Sequence, residues 1–161
     1  MAANLPLNLP RFLWWNLVSA LRARGEGRRE SGAFLMGIAN SDDRRIVMFA
    51  CYDDLDPECL VGSIQFHADG YSALWRLCSE KRIRVLADIH THPDSGVDQS
   101  PIDSKNPMLP VPGHVALIAP NFGRTSKLSL AGVGIHVFQG RGNWTSHTHR
   151  SPQAPIRLTW W

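Results

Sequence analysis

The apolar run Ile83-Arg84-Val85-Leu86-Ala87-Asp88-Ile89 ends on His90-Thr91-His92-Pro93, and this junction constrains the fold more than any other stretch of the chain. A run of that length and composition reads as a strand, and Pro93, which has no N–H to give to a ladder, stops it and forces a turn. Residues i and i+2 of an extended segment point to the same side, so His90 and His92 share one face at the end of the strand. Seven residues, Pro93 to Gln99, then lead to Ser100-Pro101-Ile102-Asp103. Ser followed by Pro is a helix-start signature, with Ser100 as the cap and Pro101 in the first helical position. Asp103 then falls on the first turn, able to swing its carboxylate back toward the histidines. Two imidazole nitrogens and one carboxylate oxygen make three ligands for a zinc ion at about 2.0–2.2 Å, with a fourth position open to water as a catalytic site requires. The alternative is a surface loop whose histidines only hydrogen-bond, yet four such residues at this spacing coincide in a chain of this size on the order of once in a thousand.

The rest of the chain supplies a frame for that site. Asn8 and Pro10 offer a helix start, Trp14, Leu17, Val18 and Leu21 recur at helical spacing, and Arg22, Arg24 and Gly25 close an amphipathic first helix over about 9–24. Ala33 to Ile38 reads as a buried strand and Arg45 to Tyr52 as its hairpin partner, with Asn40-Ser41-Asp42-Asp43 as the turn. Asp69 is a candidate cap for a second helix whose Tyr71, Leu74, Trp75 and Cys78 fall at i, i+3, i+4 and i+7. Val115 to Ala119 and Val133 to Phe138 are further strands, with room for another short one in the polar stretch between them. The expected fold is α/β: a mixed, mostly antiparallel sheet with helices packed on it. Residues 1–150 are expected to form a single domain and 151–161 a C-terminal tail, with disorder confined to the last fifteen residues.

Composition excludes more than it specifies. The 161 residues, 43% hydrophobic, suffice for one core. Seventeen Lys+Arg against fourteen Asp+Glu leave a formal charge of +3, too small and scattered to mark a nucleic-acid partner. No apolar stretch approaches the roughly 20 residues of a membrane span, and no basic segment precedes an apolar run at the start, so a cytoplasmic protein with no membrane or nucleic-acid partner is expected. Cys51, Cys59 and Cys78 form no C-x-x-C pair and are read as buried small side chains.

The string His90-x-His92-Pro93, six residues, Ser100-x-x-Asp103 resembles the signature of the JAMM (MPN-plus) zinc metallopeptidases. Glu30-Ser31-Gly32-Ala33-Phe34-Leu35-Met36-Gly37 is similar to the family's Glu-led, Gly-containing strand, with a departure in register at Phe34-Leu35. Glu26, four residues earlier, is the rival for the glutamate, but its neighbours Gly25, Gly27, Arg28 and Arg29 mark it as a solvated loop residue. The resemblance spans roughly Glu30 to Phe138 and implies a JAMM/MPN, cytidine-deaminase-like layered architecture. It also implies Zn²⁺ held by His90, His92 and Asp103, with Glu30 as general base and then general acid, and Ser100 as donor to the oxyanion.

By the same resemblance, the expected activity is hydrolysis of the isopeptide or peptide bond after the C-terminal glycine of a ubiquitin-like protein. Small members of this kind are bacterial, encoded beside ubiquitin-activating and conjugating enzyme homologues, often in antiviral defence operons. The expected partners are a ubiquitin-like protein, its conjugates and those enzymes. The stretch between Phe49 and Trp75 and the early prolines after Asp103 leave little room for large insertions. Two alternatives stand beside this reading: a JAMM-fold metallohydrolase acting on another amide, such as a sulfur-carrier adduct or cell-wall peptide, and a non-catalytic MPN-like scaffold.

Other polar and aromatic residues are assigned structural roles. Asp88, Asp94 and Asp98 read as solvated or strand-end charges before they read as support for a ligand histidine. His67, His114 and His136 are lone residues beside apolar segments, and His147-Thr148-His149 is a tail feature with no acid after it. Thr91 supports the strand. Trp14, Trp15 and Trp75 are read as packing residues, while Trp160-Trp161 must dock on the domain or on a partner. The segment from Asp94 to Gln99 is a candidate gate.

Overall fold

A computed structural model describes residues 5–161. Their order is β1 (Leu7–Pro10), α1 (Arg11–Gly25), β2 (Gly32–Ile38), β3 (Met48–Cys51), α2 (Tyr52–Leu55), β4 (Leu60–Val61), β5 (Ser63–Ile64), α3 (Ala68–Lys81) and β6 (Ile83–Thr91). There follow α4 (Pro101–Lys105), β7 (Val115–Ala119), a 3-10 turn (Asn121–Gly123), β8 (Gly134–Gly140), β9 (Asn143–His147) and β10 (Ile156–Thr159). The architecture is mixed α/β, as expected. Six strands form one sheet in the order β3-β2-β6-β7-β8-β9, antiparallel except for the β6–β7 pair.

Strand alternation divides the core into two layers. Ala33 and Leu35 of β2 and Ala87 and Ile89 of β6 face α1, where they pack with Trp14, Leu17, Val18 and Leu21. Phe34 and Met36 face the other way, onto Tyr52, Cys59 and Leu74. Leu74 is fully buried under α3, and truncating it to Ala would cost about 2–5 kcal/mol. Since side chains alternate at period 2, Asp88 and His90 share that second face, opposite α1.

Several elements differ from the sequence expectation, each for a local reason. Helix α1 starts at Arg11 because Asn8 and Pro10 are taken up by β1, which pairs in parallel with β10 from Leu7↔Ile156 to Pro10↔Thr159. The segment 151–161 therefore contributes a strand, with Ile156 fully buried. Asp69 lies in the first turn of α3, and His67 occupies the cap position. The second hairpin strand is shorter than expected, since Tyr52 opens α2. His147 sits on β9, opposite Ile135, rather than in a tail.

Of the three helical tryptophans, only Trp14 is core, donating its indole N–H to Ser126 O at 3.0 Å. Trp15 and Trp75 are each 48% exposed. Trp15 is rotated about 100° from its buried neighbour on α1, and the Lys127 ammonium lies 5.0 Å from its ring centre. Trp160 and Trp161 are exposed, the Arg11 guanidinium standing 4.8 Å from the Trp160 ring. All three cysteines are free, and burial pushes the Cys51 and Cys59 thiols up to about 12, as befits unreactive packing residues. Among the described residues no helix is long and apolar enough to cross a membrane.

Candidate metal centre

The strand β6 runs two residues further than the apolar pattern indicated, so that His90 itself pairs in the sheet, with Gly32 on one side and Ile118 on the other. Two rigid neighbours thus fix the backbone of the first histidine. His92 continues the line, its N–H donating to Ala119 O at 2.9 Å. Gly32 is required opposite His90, since a Cβ there would fall 2.2 Å from the Tyr52 ring and 2.7 Å from Ile89 O.

Helix α4 brings the carboxylate. Ser100 caps it, accepting the Asp103 N–H at 3.0 Å, while Asp103 Oδ2 accepts the Ser100 N–H at 3.0 Å, a reciprocal capping box. None of its five residues is buried. It is held instead by Trp144, whose indole N–H donates to Ser104 O at 3.0 Å.

His90, His92 and Asp103 converge. His90 Nε2 lies 3.1 Å from His92 Nε2, and Asp103 Oδ2 lies 3.5 and 3.2 Å from those two nitrogens. A tetrahedral ion with bonds of about 2.0–2.1 Å sets its ligand atoms about 3.3 Å apart, so the triangle has the edge length zinc needs. The tautomer fits too. His92 Nδ1 lies 2.9 Å from Gly96 O, which can only accept, so Nδ1 carries a proton, and a proton that Nε2 shares with Asp103 is the one a bound ion would displace. The three atoms are a donor set suited to a cation. Burial opposes ionisation of Asp103, but hydrogen bonds from His90 and His92 outweigh it and hold the carboxyl well below its usual range. The same bond to Asp103 raises His92 above the ordinary histidine value.

Glu30 enters the same cleft from the turn before β2, its N–H donating to Gly62 O at 2.8 Å. Burial raises its carboxyl above the usual value, an effect the charges of His90 and His92 partly offset. Glu26 does not line this cleft: it ends α1 in the left-handed region, at φ 53°, and pairs with exposed Arg28. The cleft has a volume of about 860 Å³, with Glu30, His90, His92, Ser100 and Asp103 at one end and Ile64, Phe66, Tyr71 and Met108 along an apolar wall.

Around the centre, the structure departs from the sequence reading at Asp88. This residue is 2% exposed and accepts from Tyr52 Oη at 3.1 Å, with His114 Nε2 at 2.5 Å, beside the cleft. The signal was its place two residues before His90 on one strand face; hydropathy alone could not show it. His114 is the satisfied structural group expected, and His67 pairs with Asp56 at 2.7 Å. Asp94 and Asp98 are exposed. Thr91 points into the other face, its Oγ1 accepting the Ser31 N–H at 2.9 Å.

No family model matches the sequence. Solved structures do match along nearly the whole chain. A crystal structure of AF2198, a JAB1/MPN domain protein from Archaeoglobus fulgidus, shares 13% identity with TM-score 0.52, covering 96% of this chain and 98% of that one. The chain has an MPN-like fold. The solution structure of protein DSY2949 from Desulfitobacterium hafniense aligns at 17% identity and TM-score 0.61, covering 95% of this chain and 92% of that one. The solution structure of a Salinibacter ruber protein aligns at 19% and 0.58, covering 94% and 95%. On this MPN-like fold, the convergent histidines and aspartate sit at the end of the central strand, opposite the α1 face.

Proposed function

We propose that the protein is a zinc-dependent peptidase of the JAMM type. Its proposed reaction hydrolyses the bond after the C-terminal glycine of a ubiquitin-like protein, in deconjugation or precursor maturation. The observation that carries this reading is the convergence of one ligand atom each from His90, His92 and Asp103 in a cleft that also holds Glu30 and Ser100. His90, His92 and Asp103 would hold the ion, which when bound supplies a Lewis acid that makes water nucleophilic near neutral pH.

The chain's own groups do the rest. Glu30, half-buried and with its carboxyl raised above the usual value by burial, takes a proton as general base and returns it to the leaving amine. Ser100 Oγ uses a lone pair on the Asp103 N–H, which leaves its hydroxyl proton free to donate to a developing oxyanion. The short hairpin β4–β5 flanks the cleft with Ser63 and Ile64, and Gln65 and Phe66 follow it along the same wall. An extended Gly-Gly tail suits such a strand edge, because main-chain bonds supply affinity and the absence of side chains allows passage to the ion. A bacterial conjugation system with antiviral function, and activating and conjugating enzyme homologues as partners, belong to this proposal on the resemblance of the motifs.

The test pairs elemental analysis with cleavage. Purified protein is expected to carry zinc near one per chain and to cut a ubiquitin-like protein fused through its Gly-Gly tail to a reporter, with loss on chelation. Zinc without cleavage would direct the search to other amides. A chain that binds no zinc would be a scaffold.

A further inference from the structure

We propose that His136 of β8, together with Gly134 two residues before it, is a positioning pair for the ligand His92. The proposal rests on the metal reading above and adds to it what sets the direction of one ligand. The connection runs through residues 94–99. His92 Nδ1–H donates to Gly96 O at 2.9 Å, and the next carbonyl, Val97 O, accepts from His136 Nε2–H at 2.8 Å. The carbonyl that orients the metal ligand is therefore adjacent in the chain to a carbonyl pinned by a buried ring.

His136 is built for this. It is 3% exposed, and both its nitrogens are engaged. Val97 O can only accept, so Nε2 carries the proton, and Nδ1 takes the hydroxyl proton of Ser146 Oγ at 2.8 Å. The ring has one tautomer and one orientation. Gly134 lies on the same strand face and lets the segment come close: a Cβ there would fall 2.2 Å from Val97 O and 2.9 Å from His136 Nε2. Elsewhere the segment has little to hold it. Asp94, Ser95, Gly96 and Asp98 are exposed, and its other ties are Asn121 N–H to Asp94 O at 2.8 Å and Gly96 N–H to Asp94 Oδ1 at 2.9 Å. Those fix where the segment starts. His136 fixes the half that follows, and a carbonyl held from both sides cannot turn away from His92. Gly96 O is the partner one shell beyond the ligand, a kind whose loss changes metal affinity by roughly 10- to 100-fold, and His136 acts through it.

The experiment reads the tautomer of His92 and the zinc affinity separately. Two-bond proton–nitrogen correlation on metal-free protein with ¹⁵N-histidine, at a pH where the His92 ring is neutral, reports which of its nitrogens is protonated, and competition with a chelator gives the zinc Kd. Wild type is expected to show His92 protonated at Nδ1. His136→Ala is expected to lose that preference and to weaken zinc binding by about 10-fold, the lower end of the range for a direct partner. His136→Gln, which keeps an N–H able to reach Val97 O, is expected to recover most of both. Thermal melts of the metal-free variants show whether each is folded, and Gly134→Ala, whose added methyl group must displace Val97 O and the tip of His136 and so break their bond, should shift both readouts the same way if His136→Ala does not fold. Folded variants with wild-type zinc affinity and an unchanged His92 tautomer would overturn the proposal. Wild-type protein without zinc affinity would overturn the metal reading instead, and the tautomer, which needs no metal, would still decide the role of His136.

Discussion

Ser100 and Asp103 hold each other: the Asp103 N–H bonds to Ser100 Oγ, and the Ser100 N–H bonds to Asp103 Oδ2, each at 3.0 Å. That same Oδ2 faces both histidines, so the helix cap and the proposed metal ligand are one atom. Ser100→Ala should therefore act twice. Loss of a cap lowers stability by about 1 kcal/mol, and loss of the oxyanion donor lowers kcat by roughly 10²-fold or more. Kinetics at saturating zinc separate the two, and a change confined to KM would remove Ser100 from the reaction.

Zinc should stabilise the folded chain. At a hundred times Kd, a ligand that binds only the native state adds about 2.7 kcal/mol, equivalent to roughly 5–10 °C in Tm for a chain of this size. His90→Ala should show no such rise, and scanning calorimetry with and without chelator checks it.

Glu30→Gln is expected to keep zinc, lose turnover by orders of magnitude and, in the metal-free state, melt slightly higher than wild type. The folded state raises the Glu30 carboxyl chiefly by burial, so the native protein binds that proton more tightly than the unfolded chain does. The ionised group then costs stability at neutral pH, a cost relieved as pH falls through the raised value. Half-exposure screens the effect, and the gain in Tm is expected on the order of 1–2 °C. Equal melting at pH 7 would place Glu30 in water.

The burial of Glu30 should also show in its own titration. In metal-free protein its carboxyl should titrate above the ordinary glutamate value of 4.5. A carboxyl-detected NMR titration of the metal-free chain measures that midpoint, and a value at or below 4.5 would contradict the burial of Glu30.

How much of this was legible before folding depended on whether the signal was local. The convergence of His90, His92 and Asp103 was, because i, i+2 on a strand and a Ser-Pro helix start are dictated by backbone geometry within fourteen residues, His90 to Asp103. The burial of Trp14, Leu17, Val18 and Leu21 followed from helical period. What escaped was made by distant partners. Asp88 looked like a strand-end charge until Tyr52 and His114 closed around it. His136 looked like a lone histidine, for nothing local tells that Val97 lies against β8. Trp15 was misplaced since two adjacent tryptophans on a helix cannot both face inward.

The pairing of β1 with β10 joins residues that lie about 150 positions apart, from Leu7↔Ile156 onward. On a ribosome that emits the chain from its N-terminus, the first strand must wait until the last emerges before its ladder can form. Until then Leu7 and Leu9, each 1% exposed in the finished fold, lack their partner strand. This pairing is therefore expected to form only after the sheet that carries the histidines can already be in place.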